Sequence, residues 1–253
     1  MPIRQERALV ARGIVLGLLA FFLLPACHNG GGGGGGTSGV YPPFLRHKGF
    51  DLHVQSLATA LDGSGDVYVG GMFNTYDAIS STRIARLNAD AILDPSFGVG
   101  NGFNNLVTAI APVADGSGDI YVGGFFSIYN GTNVNGLVRL NPDGSVDTGF
   151  VVGTGFDGGV ESIALAADGS GDLYVGGAFT SYNGTPSNRI IRLNSDGTVD
   201  TAFAIGSGFD NVVRAIVPAA DGSGDVFVGG EFTLYKGVKA DFIARLRADG
   251  TWR

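Results

Sequence analysis

The chain has 253 residues, 44 of them glycine, and its 16 Lys and Arg side chains are outnumbered by 23 Asp and Glu, giving a net charge of −7. This acidic balance argues against a nucleic-acid partner, because phosphate binding needs clustered basic side chains. The single cysteine excludes an intrachain disulfide, so an oxidising compartment would not crosslink this fold.

The first 26 residues have the anatomy of an export signal. Three arginines precede an apolar run at residues 13–24. That run is shorter than the ~20 residues that a transmembrane helix needs, and its length suits a signal peptide. It ends in Leu24-Pro25-Ala26-Cys27, which resembles the lipobox of bacterial lipoproteins. The resemblance implies removal of residues 1–26 and lipidation of Cys27; the alternative is an ordinary secretory peptide with an incidental thiol.

Residues 27–39 form a glycine-rich stretch with seven consecutive glycines at positions 30–36. Such a composition buries too little side-chain surface to become ordered, so we expect a flexible tether behind the lipid anchor. His28 stands where lipoproteins kept in an inner membrane commonly have Asp. The sequence therefore favours attachment to the bacterial outer membrane or the cell surface.

The remaining region, residues 40–253, repeats with a period of 53. The stretch Asp62-Gly-Ser-Gly-Asp66 recurs without change at 115–119, 168–172 and 221–225. A fixed period of this length is typical of repeat architectures, in which each unit is one supersecondary element that buries its apolar face against its neighbours.

Each unit contains the same succession of predicted strands. An apolar segment opens it, the Asp-Gly-Ser-Gly-Asp loop follows, and a second strand of alternating β-branched and aromatic residues ends in two glycines. An aromatic pair and a turn lead to a third strand with a central arginine, and Asp-Gly turn signals lead to a fourth. The pattern predicts an all-β fold, a β-propeller of four 53-residue, four-stranded blades. The units run over about 54–106, 107–159, 160–212 and 213–253, the last completed by 41–53.

The two ends of the repeated region predict how the ring closes. Phe44 lies 53 residues before Phe97, and Gly49-Phe50 precedes Gly102-Phe103 by the same distance. The final unit stops before its fourth strand. We therefore expect residues 41–53 to add the outer strand of the last blade, so that this N-terminal strand closes the ring and removes free strand edges.

One long motif carries a family resemblance. It reads Val-Gly-Gly-x-Phe-x-x-Tyr-Asn-Gly and then Arg-Leu-Asn-x-Asp-Gly-x-x-Asp-x-x-Phe, most closely at 122–150 and 175–203. This pattern resembles the delta-60 repeat, a β-propeller repeat of bacterial surface and secreted proteins. The first unit departs from it at Asp77-Ala78 and Ala91, and the fourth at Lys236 and Trp252. The resemblance implies the fold and the location, and it supplies no catalytic residue.

The Asp-Gly-Ser-Gly-Asp loops are candidate metal sites. Three oxygen-bearing side chains at alternate positions suit a hard cation such as Ca²⁺, which prefers 6–8 oxygen ligands and would need backbone and water for the rest. The alternative is a polar hairpin whose Asp side chains cap their own backbone amides. The candidate ligands are Asp62, Ser64, Asp66, Asp115, Ser117, Asp119, Asp168, Ser170, Asp172, Asp221, Ser223 and Asp225.

A repeated arginine in the third strand allows two interpretations. Four guanidiniums could converge on an anionic ligand at the ring centre, or each could pair with a repeat carboxylate such as Asp66, Asp90 or Asp94. We favour the pairing. The four arginines are Arg86, Arg139, Arg192 and Arg245.

No catalytic constellation is visible in the sequence. The three histidines, His28, His47 and His53, lie outside the repeated body or at its edge, so neither a Ser/His/Asp nor a Cys/His arrangement falls on repeated positions. The repeated Phe and Tyr positions are interpreted as packing core rather than as a carbohydrate platform.

These observations predict a lipid-anchored, non-enzymatic β-propeller of a bacterial envelope that binds a protein or glycan ligand. Ligand contacts are expected at the least repetitive stretches, 77–82, 131–135, 185–188 and 238–241, because loops carry function on a rigid scaffold. The alternatives are calcium-dependent adhesion, a structural envelope component, and a hydrolase or lyase that acts on polysaccharide.

Overall fold

The computed structural model describes residues 49–253, and this part of the chain is all-β. It contains twenty short strands, and none of its elements is a helix that could cross a membrane. The predicted signal peptide, the lipidated Cys27 and the tether lie outside the described residues.

Each 53-residue unit contributes five strands. The first has β1 (Val54–Thr59), β2 (Val67–Gly71), β3 (Thr75–Tyr76), β4 (Ile79–Ser80) and β5 (Ile84–Leu87). The second has β6 (Val107–Pro112), β7 (Ile120–Gly124), β8 (Ile128–Tyr129), β9 (Thr132–Asn133) and β10 (Leu137–Leu140). The third has β11 (Val160–Leu165), β12 (Leu173–Gly177), β13 (Ser181–Tyr182), β14 (Thr185–Pro186) and β15 (Ile190–Leu193). The fourth has β16 (Val213–Pro218), β17 (Val226–Gly230), β18 (Leu234–Tyr235), β19 (Val238–Lys239) and β20 (Ile243–Leu246).

In each unit the second strand lies at the centre of a three-stranded antiparallel sheet. In the first unit β2 lies between β1 and β5, so that Val69 pairs with Leu57 on one side and with Ala85 on the other. Strands β3 and β4 form a separate two-stranded ribbon. Consecutive residues of β2 point to opposite faces, and both Tyr68 and Val69 are buried, which is why this strand is rich in β-branched and aromatic residues.

The predicted fourth strand of each unit is reduced to a single bridge. In the first unit Leu87 pairs with Leu93. The turn between them is tight, with the Ala91 amide donating to Asn88 O at 2.9 Å. Only this one residue pair therefore extends the sheet of the first unit. The other units have the same bridge, at Leu140 to Val146, Leu193 to Val199 and Leu246 to Trp252. The fourth unit therefore reaches its fourth-strand position, contrary to the expectation from the sequence.

The paired glycines that end each second strand mark close backbone contact. Strand β1 shifts its register between Val54 and Ser56, opposite Gly70 and Gly71. A Cβ on Gly71 would overlap the carbonyl oxygen of His53. The absence of a side chain thus allows the two strands to approach at this irregularity.

Neighbouring units pack side by side through their inner strands, β1 on β6, β6 on β11 and β11 on β16. The buried clusters lie across these junctions. Tyr68 and Ile84 of the first unit, for example, share one cluster with Val122 and Phe126 of the second. The second-to-third and third-to-fourth junctions hold equivalent clusters. The core is therefore shared between neighbours, as in other repeat proteins.

The described part of the N-terminal segment belongs to the first unit. Phe50 forms a β-bridge with Tyr76, and its ring centre lies 4.2 Å from that of Phe73. The equivalent phenylalanines of the other three units form the same bridge. Residues 49–53 thus lie on the first unit and not on the fourth, whereas 41–48 lie outside the described residues. Closure of the ring is not shown, because no junction comparable to the other three joins β1 to the fourth unit in the described residues.

Two alanines of the first unit occupy positions that the other units fill with glycine. Ala78 has a φ of 66° and Ala91 a φ of 59°, a left-handed conformation that costs an L-residue about 1–2 kcal/mol. We expect Ala78→Gly and Ala91→Gly each to raise the free energy of unfolding by about 1 kcal/mol, because relief of this strain exceeds the entropy that glycine adds to the unfolded state. Urea denaturation measures the change.

The matched control is Gly131→Ala, which places alanine at the position equivalent to Ala78. A Cβ at Gly131 meets no atom within 4 Å, and φ there is 83°. Backbone strain alone should therefore lower the free energy of unfolding by a similar amount. Reduced stability of Ala78→Gly would contradict the assignment of strain.

Candidate functional site

The sheets present two edges with different chemistry. The loop edge consists of the connections between the inner and second strands, at 60–66, 113–119, 166–172 and 219–225. The ribbon edge consists of the four ribbons, β3–β4, β8–β9, β13–β14 and β18–β19, which follow the opposite ends of the second strands. Both edges carry residues that the sequence singles out.

Each Asp-Gly-Ser-Gly-Asp loop is held by hydrogen bonds among its own residues. Asp62 Oδ1 accepts from the Ser64 amide at 3.0 Å and from the Ser64 hydroxyl at 2.5 Å, and Ser64 Oγ accepts from the Asp66 amide at 3.1 Å. The third and fourth units repeat all three bonds. The capping role of these side chains is therefore confirmed.

An arginine from the last strand of each unit lies against each loop, and its side chain is nearly buried in the first three units and 27% exposed in the fourth. Arg86 Nη2 lies 2.7 Å from Asp62 Oδ2, and Arg86 Nε lies 2.8 Å from Asp66 Oδ2 and 3.3 Å from Asp94 Oδ2. One guanidinium on β5 thus joins the loop, β5 itself and the turn that follows β5. Such a shared charge-assisted contact fixes the relative positions of all three elements.

The same cluster recurs along the chain, which confirms the predicted pairing of the arginines with repeat carboxylates. Asp66 and Asp94 are partners as predicted, whereas Asp90 forms no ion pair with Arg86. Arg139 contacts Asp115, Asp119 and Asp147, Arg192 contacts Asp168, Asp172 and Asp200, and Arg245 contacts Asp221 and Asp225. In the fourth unit Arg253 replaces the third carboxylate and contacts Asp225.

These contacts predict how stability depends on acid. The Ser64 hydroxyl and amide, followed by Arg86, lower the pKa of Asp62 from 3.8 to about 2. A carboxyl whose folded pKa lies below its unfolded value adds stability above the unfolded pKa and loses it as pH falls through the folded pKa. We therefore expect a melting temperature that is level above about pH 4 and falls between about pH 4 and pH 2.

Asp62→Asn tests the assignment, because it removes one of the titrating groups and should make the acid fall of the melting temperature shallower. Asp241→Asn is the control, since the ion pair of Asp241 among residues 49–253 is with the exposed Lys239, at 2.9 Å. An acid profile that Asp62→Asn leaves as steep as before would show that the Asp62 contacts do not carry the effect.

Calcium binding at the loops stays a prediction, and the geometry favours the hairpin alternative. In each unit the Oδ2 atoms of the two loop aspartates face a guanidinium, as Asp62 and Asp66 face Arg86. Residues 49–253 contain no group of three or more His, Cys, Asp or Glu side chains suited to hold a metal ion. A calcium ion would have to displace the arginine and then find 6–8 oxygen ligands.

We accordingly expect calcium to leave the protein unchanged. Isothermal titration with Ca²⁺ should give no binding heat, and the melting temperature should not shift, because any ligand that binds only the folded state raises it. A saturable heat together with a higher melting temperature, both lost in Asp168→Asn, would establish the metal site instead.

A cleft opens on the loop edge between the second and third units. It has a volume of about 220 Å³ and is lined by Tyr121 and Arg139 of the second unit and by Leu165 and Ala166 of the third. The Tyr121 hydroxyl is buried without a hydrogen-bond partner among the described residues, whereas the equivalent Tyr68 hydroxyl accepts from Arg86 at 3.3 Å. The sequence gives no sign of this difference, because both tyrosines occupy the same repeat position.

The least repetitive stretches named from the sequence all lie at the ribbon edge. Their tip strands β4, β9, β14 and β19 are exposed throughout. Backbone hydrogen bonds join successive ribbon regions, as where Thr82 O accepts from the Phe103 amide at 3.3 Å and Asn135 O from the Phe156 amide at 2.9 Å. The four tips therefore follow one continuous edge, on which Ile79 is 55% exposed.

A second cleft lies on this edge, again between the second and third units. Its volume is about 340 Å³, and its lining includes Phe125, Asn135, Phe156 and Asp157. Phe125 is 42% exposed, although large aromatic side chains are otherwise mostly buried here. Phe125 is not among the residues that the sequence singles out. The available signal was a departure from the repeat, since this position holds Met, Ala and Glu in the other units.

The described sheets, ribbons and junctions define a protein built from β-propeller repeats. A family model described as "Domain of unknown function (DUF5122) beta-propeller" matches residues 63–97, 116–150, 169–203 and 221–251. These matches together span more than half of the chain, and the chain belongs to this family. The predicted all-β propeller of four repeats is thereby confirmed. The delta-60 name and the lipoprotein class stay predictions.

Similar solved structures include the WD40 β-propeller domain of Doa1, with 14% identity and a TM-score of 0.48 over 71% of this chain and 48% of that one. An ancestral GH74 enzyme has 16% identity and a TM-score of 0.44, over 80% of this chain and 23% of that one. The GH74 enzyme of Niastella koreensis has 17% identity and a TM-score of 0.48, over 79% of this chain and 29% of that one. The chain thus spans less than half the length of each. No curated protein matches it.

Proposed function

We propose that the chain is a lipid-anchored, non-enzymatic binding module of a bacterial envelope, and that it binds a glycan at the ribbon edge. The observation that carries the proposal is the cleft between the second and third units, in which an exposed aromatic ring lies beside polar side chains. Small-ligand sites combine an apolar surface with a few placed polar groups in this way.

Phe125 supplies the apolar surface of this cleft. Its ring rests against Gly159, where any Cβ would overlap it, so the ring is held in place while 42% of the residue stays exposed. Asn135 and Asp157 stand at the margin of the cleft. An aromatic face flanked by an amide and a carboxylate can pack on the C–H face of a sugar and hydrogen-bond its hydroxyls.

The hydrogen bonds and lowered pKa values of the carboxylates support binding over catalysis. Asp157 Oδ1 accepts from the Thr180 amide at 2.7 Å and from the Ser181 amide at 2.9 Å. On the loop edge, the hydrogen bonds from Ser64 lower the pKa of Asp62, the first carboxylate of its loop, to about 2. A general acid works best with a pKa near the operating pH, and these carboxylates are instead held ionised by structural contacts.

The test is calorimetric titration of the full chain with a panel of bacterial and host glycans. We expect saturable binding without product, weakened about tenfold by Phe125→Ala. Leu61→Ala is the control, because Leu61 is 58% exposed but lies on the loop edge, away from the ribbon edge. Turnover of a polysaccharide would support the hydrolase or lyase alternative, and binding that Phe125→Ala leaves intact would place the ligand elsewhere.

The anchor part of the proposal rests on the Leu24-Pro25-Ala26-Cys27 motif. Mass spectrometry of the mature chain should find Cys27 at the N-terminus with acyl chains on its sulfur and amine. Two or more chains give stable membrane attachment, whereas a single one is marginal. A mature chain that starts elsewhere, or a Cys27→Ser variant that stays in the membrane fraction, would contradict the anchor.

A further inference from the structure

The first unit leaves one face uncovered. Val54 is 38% exposed and Leu57 67% exposed on strand β1, whereas the valines equivalent to Val54 in the other units are fully buried. Those valines are Val107, Val160 and Val213. The difference arises because each of the other inner strands packs against the preceding unit. We call the exposed surface of Val54 and Leu57 the first-unit face.

The fourth unit leaves the opposite face uncovered. Ile243 is 63% exposed and Phe227 is 40% exposed, while their equivalents in the first three units are at most 2% exposed. Those equivalents are Ile84, Leu137 and Ile190 for Ile243, and Tyr68, Tyr121 and Tyr174 for Phe227. We call the surface of Phe227, Gly229 and Ile243 the fourth-unit face.

The internal junctions show how two such faces fit together. A Cβ on Gly70 would lie 2.5 Å from Val107 Cγ1 and 3.1 Å from Ile110 Cδ1, so the glycine of one unit receives the valine and isoleucine of the next. Gly123 and Gly176 receive the same pair of side chains. The equivalent Gly229 has only Phe242 O within 4 Å, at 3.9 Å. Among the described residues, Gly229 therefore has no valine and isoleucine packed against it.

The first-unit face offers the matching half. It borders a groove of about 390 Å³ whose lining includes Val54, Leu57 and Val69. The cluster beneath it contains Val69, Phe73 and Ala85, which are equivalent to the residues that cover Tyr68 and Ile84 at the first-to-second junction. By the same repeat, the side chains that fit this groove are Phe227 and Ile243.

Junctions with and without a serine hydrogen bond alternate along the chain, and the two uncovered faces would continue this alternation. Ser56 Oγ accepts from the Ile110 amide at 3.1 Å, and Ser162 Oγ from the Ile216 amide at 3.1 Å. The second-to-third junction has Ala109 in place of serine. The fourth unit carries Ala215 at this position. A fourth-to-first junction would therefore be of the second-to-third kind, with no hydroxyl left unpaired.

We propose that copies of this chain associate head to tail, with the fourth-unit face of one copy packed on the first-unit face of the next. Val54 and Leu57 of one copy lie against Gly229 of the other, and Phe227 and Ile243 enter the groove above Phe73. Because the two faces differ, the contact is heterologous and leads either to a closed ring of several copies or to a filament.

Complementary variants test the pairing on the full chain of 25.9 kDa by sedimentation velocity and light scattering. The native chain should form species of two or more copies as its concentration rises. Leu57→Arg and Ile243→Arg should each reduce the mass to that of one chain, because each blocks one face with a charge. Both side chains are exposed in the single chain, so circular dichroism should show an unchanged fold.

An equal mixture of the two variants is the decisive sample. Leu57→Arg keeps an intact fourth-unit face and Ile243→Arg an intact first-unit face, so the mixture should form pairs of two chains and nothing larger. Ile79→Arg, at a residue 55% exposed on the ribbon edge, is the control and should associate like the native chain. A mixture that stays at one chain, a single variant that still associates, or a native chain of one-copy mass at every concentration would overturn the proposal.

Discussion

Arg192→Met is expected to lower the free energy of unfolding by about 3–5 kcal/mol, the cost of removing one partner from a buried group of charges. The Arg192 side chain is only 8% exposed and lies 2.6 Å from Asp168, 2.9 Å from Asp172 and 3.2 Å from Asp200. Without the guanidinium the carboxylates of Asp172 and Asp200, whose side chains are only 13% and 15% exposed, lose their positive partner and repel each other and Asp168. Thermal and urea denaturation should both report the loss.

The control is Lys239→Met, because Lys239 is 78% exposed and its ion pair with Asp241 lies in solvent. Surface pairs of this kind contribute about 0–1 kcal/mol. Arg192→Lys should recover only part of the stability, since an ammonium group cannot reach several carboxylates with a planar set of donors. Equal effects of Arg192→Met and Lys239→Met would show that the cluster does not hold the unit together.

Gly177→Ala should destabilise the protein by about 3 kcal/mol, the upper range for overpacking a site that cannot relax. The added Cβ would overlap the carbonyl oxygen of Gly159 and would lie 3.0 Å from Val160 Cα. Both obstacles are backbone atoms at the start of the inner strand, so the third unit could accept the methyl group only by moving β11 away from β12.

Gly184→Ala is the matched comparison, because a Cβ there meets nothing within 4 Å and the cost is limited to a φ of 76°. Its expected effect is about 1 kcal/mol. Chemical denaturation of the two variants side by side separates the steric effect from the conformational one. The close approach of β11 and β12 would be refuted by a Gly177→Ala variant as stable as Gly184→Ala.

The repeat made most of this fold predictable. The spacing of the Asp-Gly-Ser-Gly-Asp loops gave the number of units, and alternation in segments such as Val67-Tyr68-Val69 identified the central strands. The partners of Arg86 could be anticipated because a buried guanidinium requires carboxylates, and the repeat supplies Asp66 and Asp94 at constant distance along the chain.

Periodicity was a poorer guide to what happens at the ends. Phe50 shares its repeat position with Phe103, and the sequence alone cannot tell whether such a phenylalanine completes the unit before it or the unit after it. The structure decides the matter through the bridge from Phe50 to Tyr76. The clefts could not be predicted for a related reason, because each forms only where two units lie side by side, although Phe125 itself departs from the repeat.

The sharing of buried clusters across junctions gives the molecule a graded resistance to opening. An interior unit is clamped by neighbours on two sides and a terminal one on a single side. The first unit keeps a cluster of just three buried residues, Val69, Phe73 and Ala85, apart from those it shares with the second. Local unfolding should therefore begin in the first unit and advance one unit at a time toward the fourth.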